Sequence, residues 1–164
     1  MSVRRQPSIR LPVAAFLLAI GLAWAPGAAA QHDALNIPEP VVRKLLKLGL
    51  ENIHHALCDG FNECKPTTPD ELENPPITVD QARMAVVIGV RSAFARWCGF
   101  DVERRSILPF SRQLRQVLHL NNRQVALMAV IHGIQQGITG EQLKTKGQCD
   151  ESSKHRLDAQ LPKS

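Results

Sequence analysis

Three helix starts in this chain are marked by a side chain able to cap a helix followed three places on by Glu or Gln: Thr68 by Glu71, Thr78 by Gln81 and Asn121 by Gln124. In that pattern the first side chain accepts from the backbone N–H three residues on, and the Glu or Gln reaches back to the cap's own N–H. Two donors that a helix start leaves orphaned are then satisfied, so helices are written into the chain at fixed points. The apolar spacing agrees. Over 41–57, Val42, Leu45, Leu46, Gly49, Ile53, Ala56 and Leu57 share one side of a helical wheel, and Arg43, Lys44, Lys47, Glu51, His54 and His55 take the other. Pro38 and Pro40 sit where such a helix can begin.

The Thr68 box, with Pro69 at the first helical position, predicts one short turn of helix. The Thr78 box opens a second long helix to about Trp97, with Val79, Val86, Val90, Ala93, Phe94 and Trp97 as its apolar face. Ala85, Gly89 and Ala93 add a ridge of small residues where another backbone can approach. Ser106 is expected to cap a third helix from Ile107 to near His119. A fourth, from Asn121 to Gly137, is apolar all round and belongs at the buried centre. Thr139 is expected to cap a short helix ending at Gly147, and a last one is expected from Glu151 to Leu161. No run alternates with period two for long enough to be a strand. The fold class is therefore all-α, a small bundle of four to six helices.

Residues 1–30 have the layout of a secretory signal peptide. Arg4, Arg5 and Arg10 precede an apolar run from Leu11 to Ala25, and Ala28-Ala29-Ala30 offers a small-x-small cleavage site. The run is shorter than the ~20 residues that span a bilayer, so no transmembrane segment is expected in the mature chain. Cleavage after Ala30 would leave one helical domain over 31–164, periplasmic or secreted and soluble. That mature chain has 17 basic and 15 acidic side chains, against a full-length charge of +5. The balance is uneven: residues 31–80 sum to −5 and residues 81–164 to +7. Either the two halves attract each other, or one surface is polarised for an anionic partner.

Four cysteines, Cys58, Cys64, Cys98 and Cys149, imply two disulfides in an exported chain. Of three possible connectivities the favoured one closes the short loop Cys58–Cys64 and ties the tail to the bundle through Cys98–Cys149. The longer closure is worth roughly 4 kcal/mol by loop entropy. A zinc or copper site on Cys58, Cys64, His54 and His55 is rejected, because the histidines take the solvent side and oxidised cysteines are poor ligands. The acidic loop with Asp59, Glu63, Asp70, Glu71 and Glu73 does not follow the calcium-loop pattern, since Phe61 falls on a ligand position. No metal and no cofactor are expected.

Enzyme signatures are mostly absent: there is no Gly-x-Ser-x-Gly, no His-Glu-x-x-His and no glycine-rich phosphate loop. The catalytic candidates are His132, set among apolar side chains, and Glu103 beside the Trp97-Cys98-Gly99-Phe100 corner. The clearest surface pattern is basic. Arg112, Arg115 and His119 share one side of the third helix, and Arg104 and Arg105 join them if that helix extends back through Asp101. All eight basic residues from 81 to 123 are arginine, whose planar fork suits phosphates and carboxylates. The expectation is a non-enzymatic binding protein meeting another envelope protein or an anionic envelope component, and no nucleic acid. The alternative is a small envelope hydrolase with its site near His132 or Glu103.

Overall fold

The computed structural model describes residues 36–163, and the segment read as a signal peptide lies outside them. The described chain is a small, mostly helical fold with two disulfides. Helix α1 (Glu39–Asn52) buries Val42, Leu45, Leu46, Gly49 and Leu50 and ends in a single tight turn, Ile53–His55. The short helix α2 (Pro69–Glu73) and the long helix α3 (Val79–Trp97) both begin on complete capping boxes, at Thr68 and Thr78. Helix α5 (Asn122–Leu143) begins on the third box, at Asn121. Helix α6 (Glu151–Gln160) is capped by Asp150, whose carboxylate accepts from the Ser153 N–H and both neighbouring serine hydroxyls. Those bonds hold the Asp150 carboxyl well below the usual carboxylate range.

Between α1 and α2 the chain forms a hairpin that alternation could not reveal. Strand β1 (Leu57–Asp59) pairs antiparallel with β2 (Asn62–Glu63), pairs too short to carry a period, and Cys58–Cys64 clasps them. The tip turns through Gly60 at φ +63°.

The third helix departs furthest from expectation. It does not start at Ile107 with Ser106 as its cap. It starts about one turn earlier, where the Asp101 carboxylate accepts from the Arg104 N–H at 3.1 Å. This helix, α4, runs without a break through Glu103–Ile107, Leu108–Arg112 and Gln113–Val117. Its outer pieces are wound wide, Leu108 bonding back to Glu103 and Leu118 to Gln113. Pro109 explains the first: it has no N–H to give, and its ring crowds the carbonyl four residues back. The inward stripe explains the early start, because Val102, Ser106, Phe110 and Leu114 recur every fourth residue and all are buried. The helix ends before His119, which takes a left-handed φ of 51°.

Helix α5 likewise passes the expected stop at Gly137. Thr139 is no cap; it lies inside the helix, buried, and accepts from Gln135 at 2.9 Å. Burying Thr139 and Leu143 outweighs the ~1 kcal/mol that a helical glycine costs against alanine.

The main core gathers α1, α3 and α5 around Leu50, Ile53, Val86, Leu127, Met128 and Ile131, with Phe110 and Leu114 of α4 closing it. Helices α3 and α5 run parallel. Near their starts Gln124 donates to the Pro76 carbonyl, midway Gly89 meets His132, and at their ends Trp97 Nε1 donates to the Gly147 carbonyl. Helix α3 packs through its small-residue ridge, Ala85, Gly89 and Ala93, and through Val86; of the apolar face expected of it, Phe94 is instead exposed. A satellite cluster of Ala95, Val102 and Leu161 docks the tail, and Cys98–Cys149 pins the chain just before α6.

Candidate functional site

His132 lies on the face of α5 that meets α3, and it is 6% exposed. Its Nε2 stands 2.8 Å from the Ser92 hydroxyl, and Ser92 Oγ stands 2.6 Å from Ser106 Oγ. Phe110 covers the imidazole, ring centroids 5.7 Å apart. Each part has a local cause. Gly89 lets α5 approach so closely that a Cβ there would sit 2.7 Å from the His132 carbonyl, which brings Ser92, one turn on, within reach of the ring. The early start of α4 supplies Ser106. Burial, with the Arg96 charge adding to it, pushes the imidazole down to about 4.

A serine hydroxyl at 2.8 Å from an imidazole is the spacing of a nucleophile and its base. Access decides against that role. Ser92 is fully buried, Ser106 bonds its hydroxyl rather than the imidazole that a carboxylate would orient, and neither groove described below is lined by Ser92 or His132. The arrangement satisfies three buried polar groups and fixes the spacing of three helices. Glu103, the other catalytic candidate, is exposed on the first turn of α4.

The basic candidates separate into two kinds. Arg105 is only 14% exposed and serves the tail: it donates to the Pro162 carbonyl at 2.6 Å and the Asp158 carbonyl at 3.2 Å, pairs with the Asp158 carboxylate at 2.8 Å, and lies over the Phe100 ring. It is a structural latch. Arg104 is exposed and leans on Asp101 at 3.6 Å, a loose pair one turn apart. Arg112 is exposed and Arg115 donates to Asn122 at 2.8 Å; neither forms an ion pair among the described residues. His119 is exposed just past the helix end. The structure thus keeps Arg104, Arg112, Arg115 and His119 on the surface and takes Arg105 out of the set.

The acidic loop meets the basic half at one strong point. Arg123 grips Glu71 with both ends of its fork, at 2.5 and 2.6 Å, and donates to the Lys65 carbonyl at 2.8 Å. The Arg123 hydrogen bond, working against desolvation, holds the Glu71 carboxyl below its usual range. Asn122 adds a bond to Asp59. A groove of about 640 Å³ lies beside this contact, lined by Asp59, Asn62, Thr68 and Arg123 among others. A second, of about 410 Å³, opens between the far ends of α3 and α5 and is lined by Arg96, Trp97 and Gln136 among others. Among the described residues no three His, Cys, Asp or Glu side chains gather to hold a metal ion.

Sequence reasoning found His132 but not its partners. One signal was there to be used: Ser92 and Ser106 both stand on inward stripes, and a polar group at such a position must find a partner. Trp97 and Gln136 were not read as the walls of a groove, because that depends on how α3 and α5 part. No family model, no curated protein and no solved structure matches the chain.

Proposed function

We propose that this chain is exported, loses residues 1–30, and acts in the periplasm or outside the cell as a non-enzymatic binding protein over residues 31–164. Its partner is an anionic envelope component or the acidic face of another envelope protein, met through Arg104, Arg112 and Arg115 on α4, with His119 at the edge. The observation that supports this reading is the division of labour among the arginines. Arg105 and Arg123 are consumed by the fold, whereas Arg112 and Arg115 stand exposed with no carboxylate paired to them among the described residues. Two disulfides fit an extracytoplasmic setting. The hydrolase reading draws no support from the buried Ser92–His132 pair or from the isolated Glu103.

The test is the double substitution Arg112→Gln/Arg115→Gln. Exposed charges of this kind contribute about 0–1 kcal/mol to stability, so the melting temperature should hold. Recovery on envelope fractions should fall, and raised salt should produce the same loss with the unchanged protein. Undiminished recovery by the double variant would refute the reading.

A further inference from the structure

The groove between α3 and α5 has the features of a ligand site. The two helices touch at Gly89 and part beyond it, leaving about 410 Å³ open at their far ends. That volume is in the range of small-molecule pockets. Its floor is Gly133, Gly137 and Gly140, one stripe of α5. A Cβ built on any of the three would meet nothing within 4 Å. None of them has the positive φ that would require glycine, and alanine would make the helix more stable. They leave space where the packing asks for none.

The walls carry the chemistry. Trp97 is fixed as a flat apolar side because its Nε1 donates to the Gly147 carbonyl at 2.8 Å. Gln136 lines the groove, and among the described residues its buried amide nitrogen has no hydrogen-bond partner, so turning the side chain outward breaks no bond of that donor. At the rim Lys144 is already neutralised by Glu141 at 2.6 Å. Arg96 is exposed and forms no ion pair among the described residues. An apolar floor and wall, one unpartnered donor and one unpaired cation complement one ligand class.

We propose that this groove binds a small organic carboxylate with a flat apolar body, its ring on the glycine floor against Trp97, its charge facing Arg96, and the Gln136 amide turning outward to donate to an oxygen. The site is separate from the arginine face of α4, and it stands or falls independently of the function proposed for that face.

The test titrates the disulfide-intact protein with 2-naphthoate and with its neutral isostere 2-naphthamide, by calorimetry and by the indole N–H resonance of Trp97. One site per chain should bind the acid, with the amide at least about tenfold weaker. Arg96→Gln should level the two ligands. Gly137→Leu should block both while keeping or raising the melting temperature. No saturation by about 1 mM naphthoate would overturn the proposal. Equal binding of acid and amide, an unmoved Trp97 resonance, or binding that survives Gly137→Leu would each do the same. So would a concentration-dependent doubling of mass abolished by Gly137→Leu, which would make the groove a seam between two copies. If Gly137→Leu does not fold, the Trp97 resonance and the exposed Arg96→Gln variant decide alone.

Discussion

Acidification should weaken this fold in a pH range set by one side chain. In the unfolded chain the His132 imidazole takes up a proton near pH 6.5, whereas in the folded protein burial, and then the Arg96 charge, lower that value to about 4. The unfolded state therefore binds the proton more readily. The stability that His132 contributes is whole above about pH 6.5, drains away as pH falls towards 4, and does not fall further below that. At 1.36 kcal/mol per pH unit the full loss is about 3 kcal/mol, a large share of the 5–15 kcal/mol typical of a domain. The range is separable from the carboxylates, because Glu71 and Asp150 both titrate below their usual values and act lower on the scale. Urea melts between pH 7.5 and 4.5 measure the loss. His132→Gln should remove the slope between pH 6.5 and 4.5, while lowering stability at pH 7 through the altered bond to Ser92. The imidazole resonance reports the same event directly. A His132 that titrates near 6.5, or a wild-type stability flat across this range, would refute the burial argument.

Two further substitutions probe how the helices are held. Arg105→Ala should free the tail, because it removes the ion pair to Asp158 and the donor to the Pro162 carbonyl together; with Asp158 half exposed and the pair screened by solvent, a loss of about 1–2 kcal/mol is expected, with faster proteolysis confined to residues after 150, and an unchanged cleavage pattern would count against the latch. Gly89→Ala should destabilise by about 1–3 kcal/mol despite better helix propensity, since the new methyl meets the backbone carbonyl of His132 at 2.7 Å; a gain in melting temperature would mean that α3 and α5 part more easily than the structure indicates.

What could be read from the chain was whatever local chemistry decides. Thr78 and Gln81, or Asn121 and Gln124, fix a helix start with four consecutive residues, and the structure places both boxes where the sequence did. The favoured disulfide pairing also holds, because a six-residue separation leaves Cys58 and Cys64 little choice and leaves Cys98 with Cys149. Competition between two local signals was not readable. Ser106 reads as the cap, yet the helix starts at Asp101, and the burial of Val102 and Ser106 is what selects the earlier start. Arg105 shows the same limit on the surface. In sequence it is one more arginine of a stripe, and only the return of residues 158–162 makes it an internal ligand for carbonyls.

The glycines carry the clearest case of one residue type serving opposite ends. Gly49 and Gly89 stand where a methyl group has no room: at Gly49 a Cβ would come within 2.6 Å of Ile131 Cγ1, and at Gly89 it would strike the α5 backbone. There glycine is what lets α1 and α3 close on α5, and the Ser92–His132–Ser106 cluster exists because they close. Gly133, Gly137 and Gly140 stand further along α5, within about two and a half turns of Ile131, with empty space above them. A chain shaped by packing alone would gain helix stability from alanine at each, on the order of 0.5–1 kcal/mol, at no steric cost. If Gly133→Ala, Gly137→Ala and Gly140→Ala raise the melting temperature singly and additively, the groove is space the fold does not need, and its retention calls for an occupant. If any of the three lowers it, that stretch of α5 is packed more tightly than the structure has it, and the argument for an open site loses its floor.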